Sequence, residues 1–125
     1  MAEEVTWRQR VALIVLADTE THADMGRVAN ALETAKELHE ADDTVTLVFD
    51  GAGTKWIDEL AQEGHLLHRQ FMAVRATIAG ACRYCAAAFG ATEGVRAAGV
   101  PLLGEYEGHP SIRKLVTQGY QVITF

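Results

Sequence analysis

The chain holds two cysteines, Cys82 and Cys85, and both lie in one short stretch, GACRYC, residues 80–85. A C-x-x-C pair supports four kinds of chemistry: half of a zinc site, a thiol-disulfide couple, a sulfur-handling thiol with a neighbour, or two small residues in a core. Cys82 closes an apolar run and precedes a helical one. At such a junction unpaired backbone N–H groups and the helix dipole favour an anion, and Arg83 adds positive charge. These influences predict a lowered pKa for Cys82, with Cys85 one turn further on to resolve a disulfide or persulfide.

Other reactive side chains fall into the same neighbourhood only through the elements that carry them. His22 and His109 are the imidazoles suited to acid-base or orienting roles near neutral pH. Thr19, Asp50, Gly51, Gly53, Arg83, Glu105 and Tyr106 are the candidate ligand-binding residues. For zinc the spacing is wrong: there is no second C-x-x-C and no C-x-x-C followed by H-x3–5-H, and His65 and His68 read as solvated helix residues. No metal and no cofactor are expected. In DGAGTKW, residues 50–56, threonine precedes lysine and the four-residue gap between glycines is missing, so the segment is no Walker motif; it reads as a tight strand-to-helix turn, with a small anion bound at the helix start as the alternative.

The elements that must position these residues alternate along the whole chain. VALIVLA (11–17) is a continuous apolar run of the kind buried on both faces of a parallel sheet. Met25, Val28, Ala29, Leu32 and Ala35 then mark one helix face, with Asp24 as its N-cap. TVTLVF and Asp50 form a second strand, and a helix bearing Trp56, Ile57 and Leu60 follows, ended by Gly64. Leu67, Phe71 and Val74 mark another helix, ATIAGA (76–81) a third strand, and Thr92 caps a short helix ahead of a fourth strand, VPLLGEY (100–106). Pro110 opens a last helix and YQVITF (120–125) is a fifth strand. This alternation predicts one domain over residues 1–125, a three-layer α/β/α sandwich around a mostly parallel five-stranded sheet. Ligands of such sheets bind beyond the carboxyl ends of the strands, where the loops holding Thr19, His22, Asp50, Cys82, Cys85, Glu105, Tyr106 and His109 all emerge.

Composition narrows the partners. Of the 125 residues 49% are hydrophobic and 22% charged, the balance of a globular domain, and the net charge of −6 with scattered Lys and Arg gives no basic stripe for nucleic acid. The longest apolar run is too short to span a bilayer, and Asp18 and Glu20 follow it without a cleavage site. A cytoplasmic protein with free thiols is the expectation.

On VALIVLADTETHADMGRVANALETAKEL, TLVFDGAGTKW, GACRYCAAAFG and GVPLLGEYEGHPS, the chain resembles the DsrE/DsrF-like family of small α/β proteins over nearly its whole length, within a subgroup carrying two cysteines. The resemblance implies a persulfide carrier: a cysteine after the third strand, matched here by Cys82, accepts sulfur and passes it to a partner protein, in a homo-oligomer of three or six chains. Cys85 departs from the one-cysteine relay pattern. Two alternatives stand beside it, a thiol-disulfide module built on Cys82 and Cys85 and an oligomer that binds a small ligand or metal without catalysis.

Overall fold

The computed structural model describes residues 7–125; of the polar stretch 1–10 that runs into the first strand, residues 1–6 lie outside them. Five strands form a single all-parallel sheet: β1 (Arg10–Val15), β2 (Thr44–Phe49), β3 (Ile78–Cys82), β4 (Leu102–Leu103) and β5 (Gln121–Thr124). Their spatial order is β4-β3-β2-β1-β5. The chain steps from β1 to β4 in one direction and then returns past β1, so the order reverses between β1 and β5.

That path distributes the helices unequally. Right-handed crossovers that march one way put their helices on one face. On it lie α1 (His22–Glu40), α2 (Trp56–Leu60), α3 (His68–Ala73), α4 (Arg83–Ala88) and α5 (Thr92–Ala97). Alternate strand residues Val11, Leu13, Val15, Leu47, Phe49 and Ala81 meet Val28, Leu32, Ile57, Leu60, Phe71 and Val95 there in one contiguous core. Each of the large side chains contributes about 1.5–3 kcal/mol by leaving water. The return crossover carries α6 (Ile112–Thr117), which has no buried residue and lies over the other face, beside Thr46, Val48, Ala79 and Leu103. The third layer is therefore one short helix.

Local sequence explains the ends of these elements. Thr21, not Asp24, is the N-cap of α1: its hydroxyl accepts the Asp24 N–H at 3.0 Å while the Asp24 carboxylate accepts the Thr21 N–H at 3.2 Å, a reciprocal capping box. The helix begun at Trp56 stops at Leu60, ahead of Gly64, and the helix after it begins at His68. Thr92 is the first residue of α5 and makes no side-chain cap. β4 keeps only two residues of the expected seven, because the chain turns at Gly104 toward a tight turn described below.

One irregularity sets up the site. Leu47 pairs with Ile78 but Val48 pairs with Gly80, so Ala79 is an extra residue in β3. A one-residue bulge reverses which face the following side chains take. Ile78 and Ala81, three apart, both join the core as a result. Cys82 then ends the strand beside Leu103.

Candidate functional site

Four of the expected residues come together. Asp50 leaves the end of β2, Cys82 ends β3, Cys85 sits on the first turn of α4, and His109 comes from the β4–α6 connection. One donor atom from each, a carboxylate oxygen, two sulfurs and an imidazole nitrogen, all lie within 4.8 Å of one another. Cys82 Sγ is 3.3 Å from His109 Nδ1 and accepts the Cys85 backbone N–H at 3.3 Å. Both thiols are free.

Each member is held by its own backbone. Asp50 turns one carboxylate oxygen onto the Gly51 N–H, 2.8 Å away, at the entry to a 3-10 turn over Gly51–Lys55. His109 is delivered by a two-residue turn. Tyr106 and His109 exchange both backbone hydrogen bonds, at 2.9 and 2.8 Å, and the central residues Glu107 and Gly108 have φ of 49° and 87°. Two positive φ values are the signature of the type I′ hairpin turn. The Gly108 carbonyl accepts the Tyr84 N–H at 2.9 Å, tying the turn to α4, and the Tyr84 ring lies 4.8 Å from the imidazole. Neither Tyr84 nor Gly108 is singled out by sequence reasoning. The only signal was the EGH tripeptide, in which glutamate occupies a position that asparagine or aspartate usually marks.

A non-glycine residue in the left-handed region costs roughly 1–2 kcal/mol, less for asparagine. Glu107→Asn is therefore expected to raise stability by about 0.5–1 kcal/mol, read as a higher urea midpoint at unchanged slope.

The two thiols are not equivalent. Cys82 is fully buried and Cys85 is partly accessible. Burial is the main influence on Cys82; the Cys85 side chain and the Asp50 carboxylate add to it, the Cys85 N–H opposes it, and the thiol is pushed up to about 12. This reverses the lowered pKa expected from the helix start and Arg83. Helix α4 has only six residues. The Arg83 guanidinium lies instead against Gly104, where an added Cβ would stand 2.8 Å from Cζ.

The remaining candidates lie elsewhere. His22 is exposed on the first turn of α1 and is not among the four. Thr19 lines a shallow groove with Lys55 and Phe89. Lys55 pairs with Asp18 at 2.6 Å and Glu20 at 3.3 Å, and its ammonium holds the Asp18 carboxyl below its ordinary value. Glu105 faces Lys114 at 3.9 Å, and Tyr106 is exposed, serving through its backbone. Gly51 and Gly53 shape the turn behind Asp50. His65 and His68 are half-buried and engage the Leu67 N–H and the Leu60 carbonyl, so they are not a solvated helical pair.

The β3 end lies two strands away from the reversal between β1 and β5. The site therefore keeps to the carboxyl side of the sheet without occupying the usual crevice. Among the described residues no helix is long and apolar enough to cross a membrane. Compared with protein-family models, with the curated proteins and with the solved structures, the chain gives no match in any of the three.

Proposed function

We propose that the chain handles sulfane sulfur through Cys82 and Cys85, accepting one sulfur atom from a persulfide or polysulfide donor and passing it on. The observation that carries this is the pairing of a reachable thiol with a buried one, both free, with their sulfurs within 4.8 Å. Burial of Cys82 favours entry at Cys85. The Cys85 thiolate attacks the outer sulfur of a donor R–S–SH; the new S–S bond forms as the donor S–S bond breaks, and R–S⁻ leaves to take up a proton. An acceptor thiolate can then remove the outer sulfur and restore Cys85. Alternatively Cys82 attacks the inner sulfur, a Cys82–Cys85 disulfide forms, and HS⁻ departs. In that exit two thiols lose two electrons, the sulfane sulfur gains them, and an external dithiol must reset the pair. His109 Nδ1, 3.3 Å from Cys82 Sγ, is the group placed to take its proton.

The same reading puts the protein in a reducing cytoplasm, as a homo-oligomer of three or six chains working with a sulfur donor or acceptor protein. Apolar side chains left exposed on α6 and β5, Val116 (58%), Ile123 (43%) and Ile112 (39%), support an assembly. A thiol-disulfide module is the second reading, favoured by the same sulfur pair on one helical turn. It differs in releasing no sulfide.

Inorganic polysulfide added to reduced, metal-stripped protein tests the proposal, with products read by intact and peptide mass spectrometry. Wild type should gain sulfur on Cys85. Cys82→Ser should load and retain it, and Cys85→Ser should load at least about tenfold less, because the thiolate is the nucleophile and the remaining thiol is buried. A wild type that neither gains sulfur nor releases sulfide as a Cys82–Cys85 disulfide forms, or a Cys82→Ser/Cys85→Ser double variant that gains as much sulfur as Cys82→Ser, would end this reading.

A further inference from the structure

Four side chains of three donor classes, brought from three separate segments, converge on one point. We propose that Asp50, Cys82, Cys85 and His109 form a four-coordinate site for a thiophilic divalent cation of the zinc class. Two sulfurs, one nitrogen and one oxygen select such an ion over magnesium or calcium, which take oxygen alone. Zinc bonds of 2.0–2.3 Å put the donor atoms of a tetrahedron roughly 3.3–3.8 Å apart. Cys82 Sγ and His109 Nδ1 already stand at 3.3 Å, and the whole set lies within 4.8 Å, so closure needs movements of about 1 Å or less.

The surroundings suit the ion as well. The Gly51 N–H, donated to Asp50 Oδ1 at 2.8 Å, orients the carboxylate. The Cys85 N–H points at Cys82 Sγ, where it stabilises a bound thiolate. The Tyr84 ring packs beside the imidazole, and the two Tyr106–His109 hydrogen bonds fix its backbone. Outer contacts of this kind orient metal ligands. Each thiol binds as its thiolate, with any proton it carried passing to solvent, and no electrons move. The sequence hides the site because its ligand spacing is 32, 3 and 24 residues along the chain, from Asp50 to Cys82 to Cys85 to His109.

Resting on the sulfur-handling reading, a further consequence is regulatory: the bound ion occupies both sulfurs and withholds them from a sulfur donor. The test uses the full chain, stripped by chelator under reductant, and titrates cobalt(II) alone by absorption and zinc(II) alone by equilibrium dialysis. One equivalent per chain is expected, with thiolate-to-cobalt charge transfer and intense tetrahedral bands. The double variant Cys82→Ser/Cys85→Ser should lose both signals, and Asp50→Asn and His109→Ala should each weaken binding about tenfold or more. No saturable uptake by wild type overturns the site. So does wild-type affinity and spectrum in both Asp50→Asn and His109→Ala, which would reduce it to a bare dithiol. Asp50→Asn conserves volume and keeps the comparison open should His109→Ala misfold. Polysulfide loading is then measured with and without one equivalent of zinc. Loading that zinc suppresses supports the regulatory consequence, and equal loading overturns it. Zinc uptake without any loading of the metal-free chain removes the sulfur reading and leaves the metal site, and loading without uptake does the reverse.

Discussion

Gly53→Ala is expected to cost at least about 3 kcal/mol, a large share of the roughly 5–15 kcal/mol that holds a domain folded. A Cβ built on Gly53 stands 2.1 Å from the Val15 carbonyl oxygen and 2.8 Å from its carbon. Both are backbone atoms at the end of β1, and that carbonyl already accepts the Asp50 N–H at 2.9 Å. No rotamer relieves the clash. Either the 3-10 turn lifts off the sheet, exposing buried Thr54 and Trp56, or the last rung between β1 and β2 breaks. Both outcomes move Asp50, whose carboxylate is set by the same turn. Gly26→Ala is the control: it is exposed within α1, an added Cβ meets nothing within 4 Å, and alanine should stabilise by about 0.5–1 kcal/mol. Urea denaturation of the two variants should therefore shift in opposite directions. A Gly53→Ala midpoint within error of wild type would show that the turn is free to move away from β1.

The sheet was legible because its signals are local. VALIVLA and TVTLVF are unbroken apolar runs, and the helix between them repeats its core positions Val28, Leu32 and Ala35 at helical spacing, so parallel β1 and β2 with α1 packed across them follow directly. The cysteine pair at a strand end was legible for the same reason. The disposition of the site was not. His109 reaches Cys82 through a turn whose first central residue is glutamate at φ 49°, a residue that announces no turn. The bulge at Ala79, which decides the face on which Ala81 and the residues after it emerge, is invisible in a string of small apolar residues. The misplacement of the α1 cap is of a gentler kind. Thr21 and Asp24 both belong to the capping box, and spacing alone does not say which residue opens it. Nor does residue order announce that Asp18 and Glu20 from the neighbouring loop engage Lys55.

The thiol environment was the largest reversal, and it yields the second strong expectation. At pH 8, iodoacetamide should modify one thiol per native chain, Cys85, while Cys82 reacts at least about a thousandfold more slowly than in the urea-unfolded chain. A rise from the ordinary 9.0 to about 12 lowers the thiolate fraction tenfold per unit, and complete burial adds to the protection. The same shift has a sign in stability. Folded Cys82 keeps its proton where the unfolded thiol has lost it, so its contribution is fully present below pH 9 and is lost as pH rises toward 12, by up to roughly 1.4 kcal/mol per unit. Lysines and tyrosines titrate in that window too, so the quantity to measure is the difference between wild type and Cys82→Ser, which should narrow steadily above pH 9. Asp50→Asn removes a nearby negative charge that helps hold the thiol protonated, so it should speed Cys82 alkylation and flatten that difference. Rapid labelling of both cysteines in native protein would instead mean that the turn over Tyr106–His109 opens readily, and Cys82 would then rank with Cys85 as an entry point for sulfur.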